Sequence, residues 1–413
     1  MTDTAMTLDD YGLGGDAFNQ ADYRLYTDAD IARQEQERIF EGQAWCFVGL
    51  EVELPQPGDY KTSWVGALPI ILVRGRDGAL RAMVNRCTHK GSTIVFDGSG
   101  CAERFVCPYH NWYYDLEGNL TAVAFGNGVK GQGGMPAAFD KQAHGLRRLR
   151  VETIAGLIFV SAAEQGPALE EYLGTRIAHH IRRTLGCGLV VLGEYTQVMH
   201  NNWKLYMENT RDSYHASLLH VFFTTFRLNR LDMAGGMAVG ENGWNTLSYT
   251  QATQSFTDEA YADARALNTD IKLNDPSLVA NWPEFADGIV SSITSVFPAL
   301  VMQQISNSLA VRQLVPKGPD RCELVWTLLG TVEDTPAQTD MRIRQSNLVG
   351  PAGLVSMEDG IIGNFVQRSI ASARGERTVM RMGGDGVASQ ESRVTEAGVR
   401  AFWKAYRDHM EPA

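Results

Sequence analysis

Two short pairs of metal-ligand residues stand out in the chain: Cys87-Thr-His89 and Cys107-Pro-Tyr-His110, with 17 residues between them. Each pair supplies one thiolate and one imidazole. A two-iron, two-sulfur cluster takes four protein ligands, and in one variant two imidazoles replace two thiolates on one iron. That replacement removes negative charge and makes the cluster easier to reduce, so it suits a protein that accepts electrons. A structural zinc site uses the same residue types, but zinc fingers pair Cys with Cys and His with His. The alternating order, with Pro108 inside it and Trp112 just beyond, points to the cluster. Cys46, Cys101, Cys187 and Cys322 have no such partners and read as core or surface thiols.

A second group lies about a hundred residues later, in the segment Asn202 to His220. Its pattern predicts a helix over Lys204–Phe222, with Glu208, Asp212 and His215 on one face at i, i+4 and i+7. His215 and His220 are five residues apart, which separates them on an ideal helix. They reach one metal only where the helix opens between them. A zinc protease would instead carry His at i and i+4 in H-E-x-x-H. Two histidines and one carboxylate leave open positions on an iron for dioxygen and a substrate. The carboxylate has to come from elsewhere, and Glu358-Asp359 offers two adjacent ones.

The elements that must position these groups differ along the chain. From Trp45 to about Ser161, short β-rich runs alternate with turn signals at Pro55–Gly58, Arg76–Gly78 and Glu117–Asn119. Beyond about Gly166 the pattern mixes helices (Leu169–Thr184, Met341–Asn347, Val399–His409) with strands (Val296–Gln304, Leu309–Val315, Leu324–Gly330). Asp28–Gly42 reads as a further helix. The expected fold class is α+β: a small all-β domain and a larger domain with an antiparallel sheet flanked by helices. Gly126–Pro136 is Gly-rich but lacks phosphate-loop spacing, and reads as a surface loop.

At 413 residues the chain is long enough for two cores. Its net charge of -11 repels nucleic acid and anionic membranes, so neither is an expected partner. An anionic substrate would need cations inside its pocket. The first ten residues lack a basic run followed by an apolar one, and the most apolar stretch, Ile154–Ala162, is too short to cross a bilayer, so the expected location is the cytoplasm.

Over almost its whole length the sequence resembles the large subunits of the Rieske aromatic-ring-hydroxylating oxygenases. The cluster motif is matched at Cys87, His89, Cys107 and His110. The Asn-Trp-Lys…Glu-Asn…Asp-x-x-His-x4-His segment is matched at Asn202 to His220. The resemblance implies a Rieske [2Fe-2S] domain over residues 40–165 and a catalytic domain, built from residues 1–39 and 166–413, that holds a mononuclear Fe(II). It implies His215, His220 and Asp359, rather than Glu358, as iron ligands. It also implies Asp212 as an acid bridging to a cluster histidine of a neighbouring subunit; Asn209 is a further expected catalytic residue, lining the pocket. Lys90 departs from the family's Arg: the charge is kept and the bidentate fork is lost.

The runs Gly128–Pro136, Asp212–His220, Arg312–Pro316 and Val399–Arg407 look most like members acting on aromatic carboxylates such as terephthalate, anthranilate and salicylate. A carboxylate in an acidic protein wants an Arg fork, and similarity offers Arg312 and Arg393. Phe222, Phe223 and Phe226 are candidate pocket walls, although aromatics near a helix usually belong to the core. The implied reaction is cis-dihydroxylation of an aromatic carboxylate, terephthalate first, or monohydroxylation on the same scaffold. The implied partners are O2, an NAD(P)H-dependent reductase with or without a ferredoxin, and a small beta subunit in an α3β3 assembly, or an α3 trimer.

Overall fold

In the computed structural model, which describes residues 8–252, 259–261 and 270–411, the chain forms two units. One is Phe40–Pro167; the other joins Met1–Ile39 to Ala168–Ala413.

In the first unit the β-branched and aromatic runs form ten strands: β1 Cys46–Leu50, β2 Asp59–Val65, β3 Leu68–Arg74, β4 Leu80–Val84, β5 Ser99–Cys101, β6 Phe105–Val106, β7 Trp112–Tyr114, β8 Leu120–Val123, β9 Arg148–Ile154 and β10 Leu157–Ser161. Seven pair in the order β1-β10-β9-β4-β3-β2-β5, and β6-β7-β8 make a small second sheet. The sequence pattern misses β5, β8 and β9. β5 is exposed throughout, and β8 and β9 each bury only one residue, so no apolar alternation marks them. The Gly126–Pro136 loop is exposed along most of its length.

The second unit is mixed. Its helices are α1 Ala29–Glu35, α2 Leu169–Leu173, α3 Thr175–Leu185, α4 Trp203–Asn209, α5 Ala216–Leu219, α6 Val221–Thr225, α7 Pro336–Val349, α8 Leu354–Ile370 and α9 Ala397–Met410. Its strands are β11 Leu189–Met199, β12 Gly235–Val239, β13 Thr246–Gln251, β14 Ile289–Val296, β15 Leu300–Ile305, β16 Ser308–Pro316 and β17 Cys322–Thr331. They form one antiparallel sheet in the order β11-β17-β16-β15-β14-β13-β12. The chain enters at one edge, crosses to the other and meanders back. The crossing segment between β11 and β12 carries α4, α5 and α6, and therefore both histidines.

Three expectations change here. The strand expected over Val296–Gln304 is two strands, because Phe297-Pro298 turns the chain between β14 and β15 and proline cannot donate to the ladder. The helix expected over Leu169–Thr184 breaks at Gly174, whose φ of 77° is left-handed. The helix expected over Lys204–Phe222 is three short helices, with consequences for the site.

Candidate metal centres

The Cys-His pairs sit on two turns of the first unit, one between β4 and β5, the other between β6 and β7, and the two turns are built alike. Cys87 N–H donates to Ser92 O, and Gly91 N–H donates back to Cys87 O, at 2.8 and 2.9 Å. Cys107 N–H donates to Trp112 O, and Asn111 N–H donates to Cys107 O, both at 2.9 Å. The residue four places after each cysteine is left-handed, with φ of 74° at Gly91 and 48° at Asn111. Glycine and asparagine are the residues that adopt this conformation at least cost.

The turns place both thiols inside an apolar cluster with Ile71, Val73, Met83, Phe105 and Trp112. The two imidazoles lie toward the surface. Their ring centroids are 4.6 Å apart, and His89 stacks on Trp112 at 4.8 Å and 3°. Burial pushes the Cys87 thiol up, while the Tyr114 hydroxyl 3.3 Å from its sulfur pulls it down. Burial, with the charges of His110 and Lys90, holds His89 below the usual histidine range. The Nδ1 atoms of His89 and His110 are both buried and have no hydrogen-bond partner among the described residues. Orphaned donors of this kind fit a metal, and two thiols with two imidazoles fit a [2Fe-2S] cluster. A lone tetrahedral zinc fits less well. Among the described residues, the group of three donors gathered within 4.8 Å of one another is a different one.

That group is His215, His220 and Asp359. Helix α4 starts at an Asn202 cap, whose side chain accepts from Lys204 N–H, and it stops at Asn209. Glu208, Asp212 and His215 therefore do not share a helix face. The Asp212 carboxylate accepts from Tyr214 N–H and His215 N–H at 2.8 and 3.1 Å. An aspartate that bonds its own backbone in this way competes with helix continuation. Helix α5 then runs for one turn between His215 and His220, and His220 breaks it at φ −88°, ψ 79°. These two breaks let histidines five residues apart face one point.

The carboxylates come from α8, which the sequence pattern did not delimit. Asp359 Oδ1 lies 3.4 Å from His215 Nε2 and 3.2 Å from His220 Nε2. Glu358 serves His220 from the other side of the ring, with its Oε2 at 2.7 Å from Nδ1. With Nδ1–H donating to Glu358, Nε2 is left free to ligate. A carboxylate behind a ligating imidazole fixes its tautomer and raises its basicity. Consecutive helical residues point about 100° apart, so the Glu-Asp pair addresses both ring nitrogens. Asn209 Nδ2 donates to Asp359 Oδ1 at 3.0 Å and lies 3.3 Å from His215 Nε2.

Burial opposes charge on all three groups, yet the mutual attraction wins. His215 is pushed up to about 10 by Asp212 and Asp359, His220 is also raised, and Asp359 is held well below the usual carboxylate range. Protons on the imidazoles answer a negative field that a dication would satisfy by displacing them. Two histidines and one carboxylate with open positions suit a non-haem Fe(II).

The triad stands between two cavities, and Asn209, Asp212, His215 and Asp359 line both. The larger, about 370 Å³, is also lined by Glu208, Glu396, Ile362 and Val366. The smaller holds Phe223, Ile293, Ile305 and Val355, with Arg312 and Arg393. Arg312, on β16, lies 3.9 Å over the Trp326 ring and donates through Nη1 to Tyr206 OH at 2.7 Å. Arg393 donates through Nη1 to Asn229 Oδ1. Its Nε and Nη2 are buried with no partner among the described residues. Burial pulls this cation down to about 10. Of the three phenylalanines proposed as walls, Phe223 lines this cavity, packed 5.5 Å from His220, while Phe222 and Phe226 pack against each other at 4.6 Å with their rings tilted by 48°. Sequence reasoning missed Glu358 as the partner of His220, and Tyr206 and Asn229 as partners of the arginines. The adjacency of Glu358 to Asp359 was the one signal available.

Residues 187–412 match the ring hydroxylating alpha subunit (catalytic domain) model, and residues 44–130 match the Rieske [2Fe-2S] domain model. Over 390 residues the chain is 50% identical to the terephthalate 1,2-dioxygenase terminal oxygenase component subunit alpha 2 of Comamonas sp, covering 94% of each. It is 40% identical to the anthranilate 1,2-dioxygenase large subunit of Burkholderia cepacia, covering 94% of this chain and 92% of that one. It is 35% identical to the salicylate 5-hydroxylase large oxygenase component of Ralstonia sp, covering 96% and 95%. The fold matches the crystal structure of naphthalene 1,2-dioxygenase from Rhodococcus sp. bound to indole. The TM-score is 0.79 at 23% identity, over 95% of this chain and 94% of that one.

Proposed function

Because the chain belongs to the ring-hydroxylating alpha subunits and carries a Rieske [2Fe-2S] domain, we propose that it cis-dihydroxylates an aromatic carboxylate, terephthalate first. It is an oxidoreductase, the terminal oxygenase of a multicomponent system that uses O2 and a reductase. When bound, the cluster supplies single electrons and the mononuclear iron activates dioxygen. In this reading Cys87, His89, Cys107 and His110 hold the cluster, and His215, His220 and Asp359 hold the iron.

The observation that carries the substrate class is the free edge of Arg393. In a guanidinium, Nε–H and Nη2–H point the same way and match a carboxylate bidentately. Both are buried beside the triad with no partner among the described residues. Arg312 is the second cation on the same cavity, so a ring with carboxylates at both ends suits it. The larger cavity has no arginine or lysine among its lining residues and offers such an acid no paired cation. The smaller one, about 70 Å³, is too narrow for the ring as it stands, so Phe223 and its neighbours move when substrate binds.

Asp212 positions His215: its Oδ2 lies 3.5 Å from Nδ1, close enough for attraction and long for a formed hydrogen bond. We assign it the bridge to a cluster histidine of a neighbouring copy, in an α3 or α3β3 assembly with a small beta subunit. The donor chain runs from NAD(P)H through the reductase, with or without a ferredoxin. Among the described residues no helix is long and apolar enough to cross a membrane, which accords with a cytoplasmic site of action.

NADH consumption and product analysis with a matched reductase, over terephthalate, anthranilate, salicylate and benzoate, test the reading. The expected outcome is coupled consumption on terephthalate, yielding a diol that carries both oxygen atoms. The relative named salicylate 5-hydroxylase favours one second reading, ring monohydroxylation, and a product with a single labelled oxygen from ¹⁸O2 would establish it. Arg393→Met should raise the KM for the acid about 10- to 100-fold, the worth of hydrogen bonds to a charge. An unchanged KM would remove Arg393 from the site.

A further inference from the structure

Arg393 lines the smaller cavity with Nε and Nη2 unpartnered among the described residues, while another group holds its third nitrogen. That group is Asn229, in the segment between α6 and β12, whose Oδ1 accepts from Arg393 Nη1 and stands within 3.4 Å of the Thr250 hydroxyl. Asn229 itself lines the cavity with Arg393 and Thr250.

The chemistry of the anchor matters as much as its position. A buried arginine is normally met by a carboxylate, and this unit does so elsewhere. Arg230, also buried, is chelated by Asp232 through Nε and Nη2 at 3.0 and 3.1 Å. Arg342, also buried, meets both Glu284 and Asp334 at 2.7 Å. In those cases the charge is spent inside the protein. At Arg393 the anchoring oxygen belongs to an amide. It fixes the plane of the guanidinium, takes one N–H, and leaves the Nε–Nη2 edge without a hydrogen-bond partner among the described residues. The Arg393 backbone is pinned as well, since Ser213 Oγ donates to its carbonyl at 2.8 Å. The result is an oriented cation reserved for an anion that arrives from outside.

We propose that Asn229 is a specificity-determining positioning residue: its neutral amide orients Arg393 while leaving the charge available, so that the enzyme selects a carboxylate over a neutral isostere. This rests on the carboxylate reading of the site. An acid in the same place would orient the arginine equally well and quench it.

The test uses the iron-loaded enzyme with its reductase, and measures kcat and KM for terephthalate and for its uncharged diamide. The wild type should favour terephthalate through KM. In Asn229→Asp the KM for terephthalate should rise about 10- to 100-fold, as expected for loss of charge-assisted hydrogen bonds. Its KM for the diamide should change little and its kcat at saturation should hold, so the preference collapses. A general structural defect would move both substrates together. Asn229→Ala removes the anchor without adding charge, and should raise the KM for terephthalate severalfold while keeping the preference. If Asn229→Asp fails to fold, an unchanged KM for terephthalate in Asn229→Ala overturns the assignment. A wild-type preference that survives intact in Asn229→Asp also overturns the assignment, and that alone. A wild type indifferent to charge overturns the carboxylate reading itself, and this assignment with it.

Discussion

The two metal centres are assembled in opposite ways. The cluster residues fall within positions 87–110, on two turns with the same hydrogen-bond pattern, in a unit whose charges balance: 12 Lys and Arg against 12 Asp and Glu over residues 40–167. The candidate iron site, His215, His220 and Asp359, joins a broken helical segment to a helix far along the chain. The Glu358–His220 pair alone spans 138 residues. The whole net charge of -11 belongs to this second unit. The difference follows from the chemistry each centre performs. A cluster that gains and loses an electron is served by neutral imidazoles and a fixed apolar seat, which local turns provide. A dication needs anionic oxygens, and crowding Asp212, Glu358 and Asp359 around two histidines requires the tertiary fold to bear the repulsion.

The largest effect expected is separability. Asp359→Ala should abolish ring oxidation and lose the mononuclear iron, while the red-brown visible absorption of the cluster stays. Cys107→Ser should do the reverse for absorption and also end turnover. Iron analysis beside a visible spectrum checks both. If Asp359→Ala bleaches the cluster as well, the two centres do not assemble independently and the contrast between them fails.

The same contrast explains what the sequence disclosed. The two Cys-His turns were legible as a candidate cluster site because the four candidate ligands and the turn residues Gly91 and Asn111 lie in one short stretch. His215 and His220 were legible as candidates, and their spacing correctly demanded an opening in the helix. The form of the opening was not. The periodicity of Lys204–Phe222 is helical, and only the Asp212 side chain capping Tyr214 and His215 shows why the chain leaves that path. The choice between Glu358 and Asp359 could not be made from the residues alone, because both contact His220, on opposite nitrogens of the ring. Arg312 and Arg393 came from similarity. Nothing local distinguishes an arginine spent in an ion pair from one held by an amide.

Glu358→Gln comes next in size. The amide retains the shape and gives up the charge behind His220, so the iron should bind about 10- to 100-fold more weakly, as for other partners of ligating histidines. Reconstitution with Fe(II) at graded concentrations reads this directly, and the cluster spectrum should not move. Equal iron affinity in the variant would mean that Asp359 and the two histidines suffice, and that the acidity of this unit has another cause.

The smallest effect probes that acidity through pH. Glu208 accepts from Tyr26 OH at 2.6 Å and lines the larger cavity with Asp212 and Glu396. Burial raises its carboxyl to about 8, with Asp212 adding to the rise while Tyr26 and Lys204 oppose it. In the unfolded chain a glutamate titrates near its ordinary value, about 4.3. Between those two values the folded protein keeps a proton that the unfolded chain gives up, so unfolding releases a proton and rising pH favours it. The stability tied to Glu208 is therefore complete below about pH 4 and is lost progressively up to about pH 8. Glu208→Gln mimics the protonated form and should flatten this part of the dependence. Its melting temperature should gain most on the wild type at pH 8 and converge with it as pH falls toward about 4, in parallel thermal melts of the loaded enzyme. Parallel curves across the whole range would show that Glu208 ionises freely, and that the cavity beside Asp212 is wetter and less crowded by acids than the contrast between the two units requires.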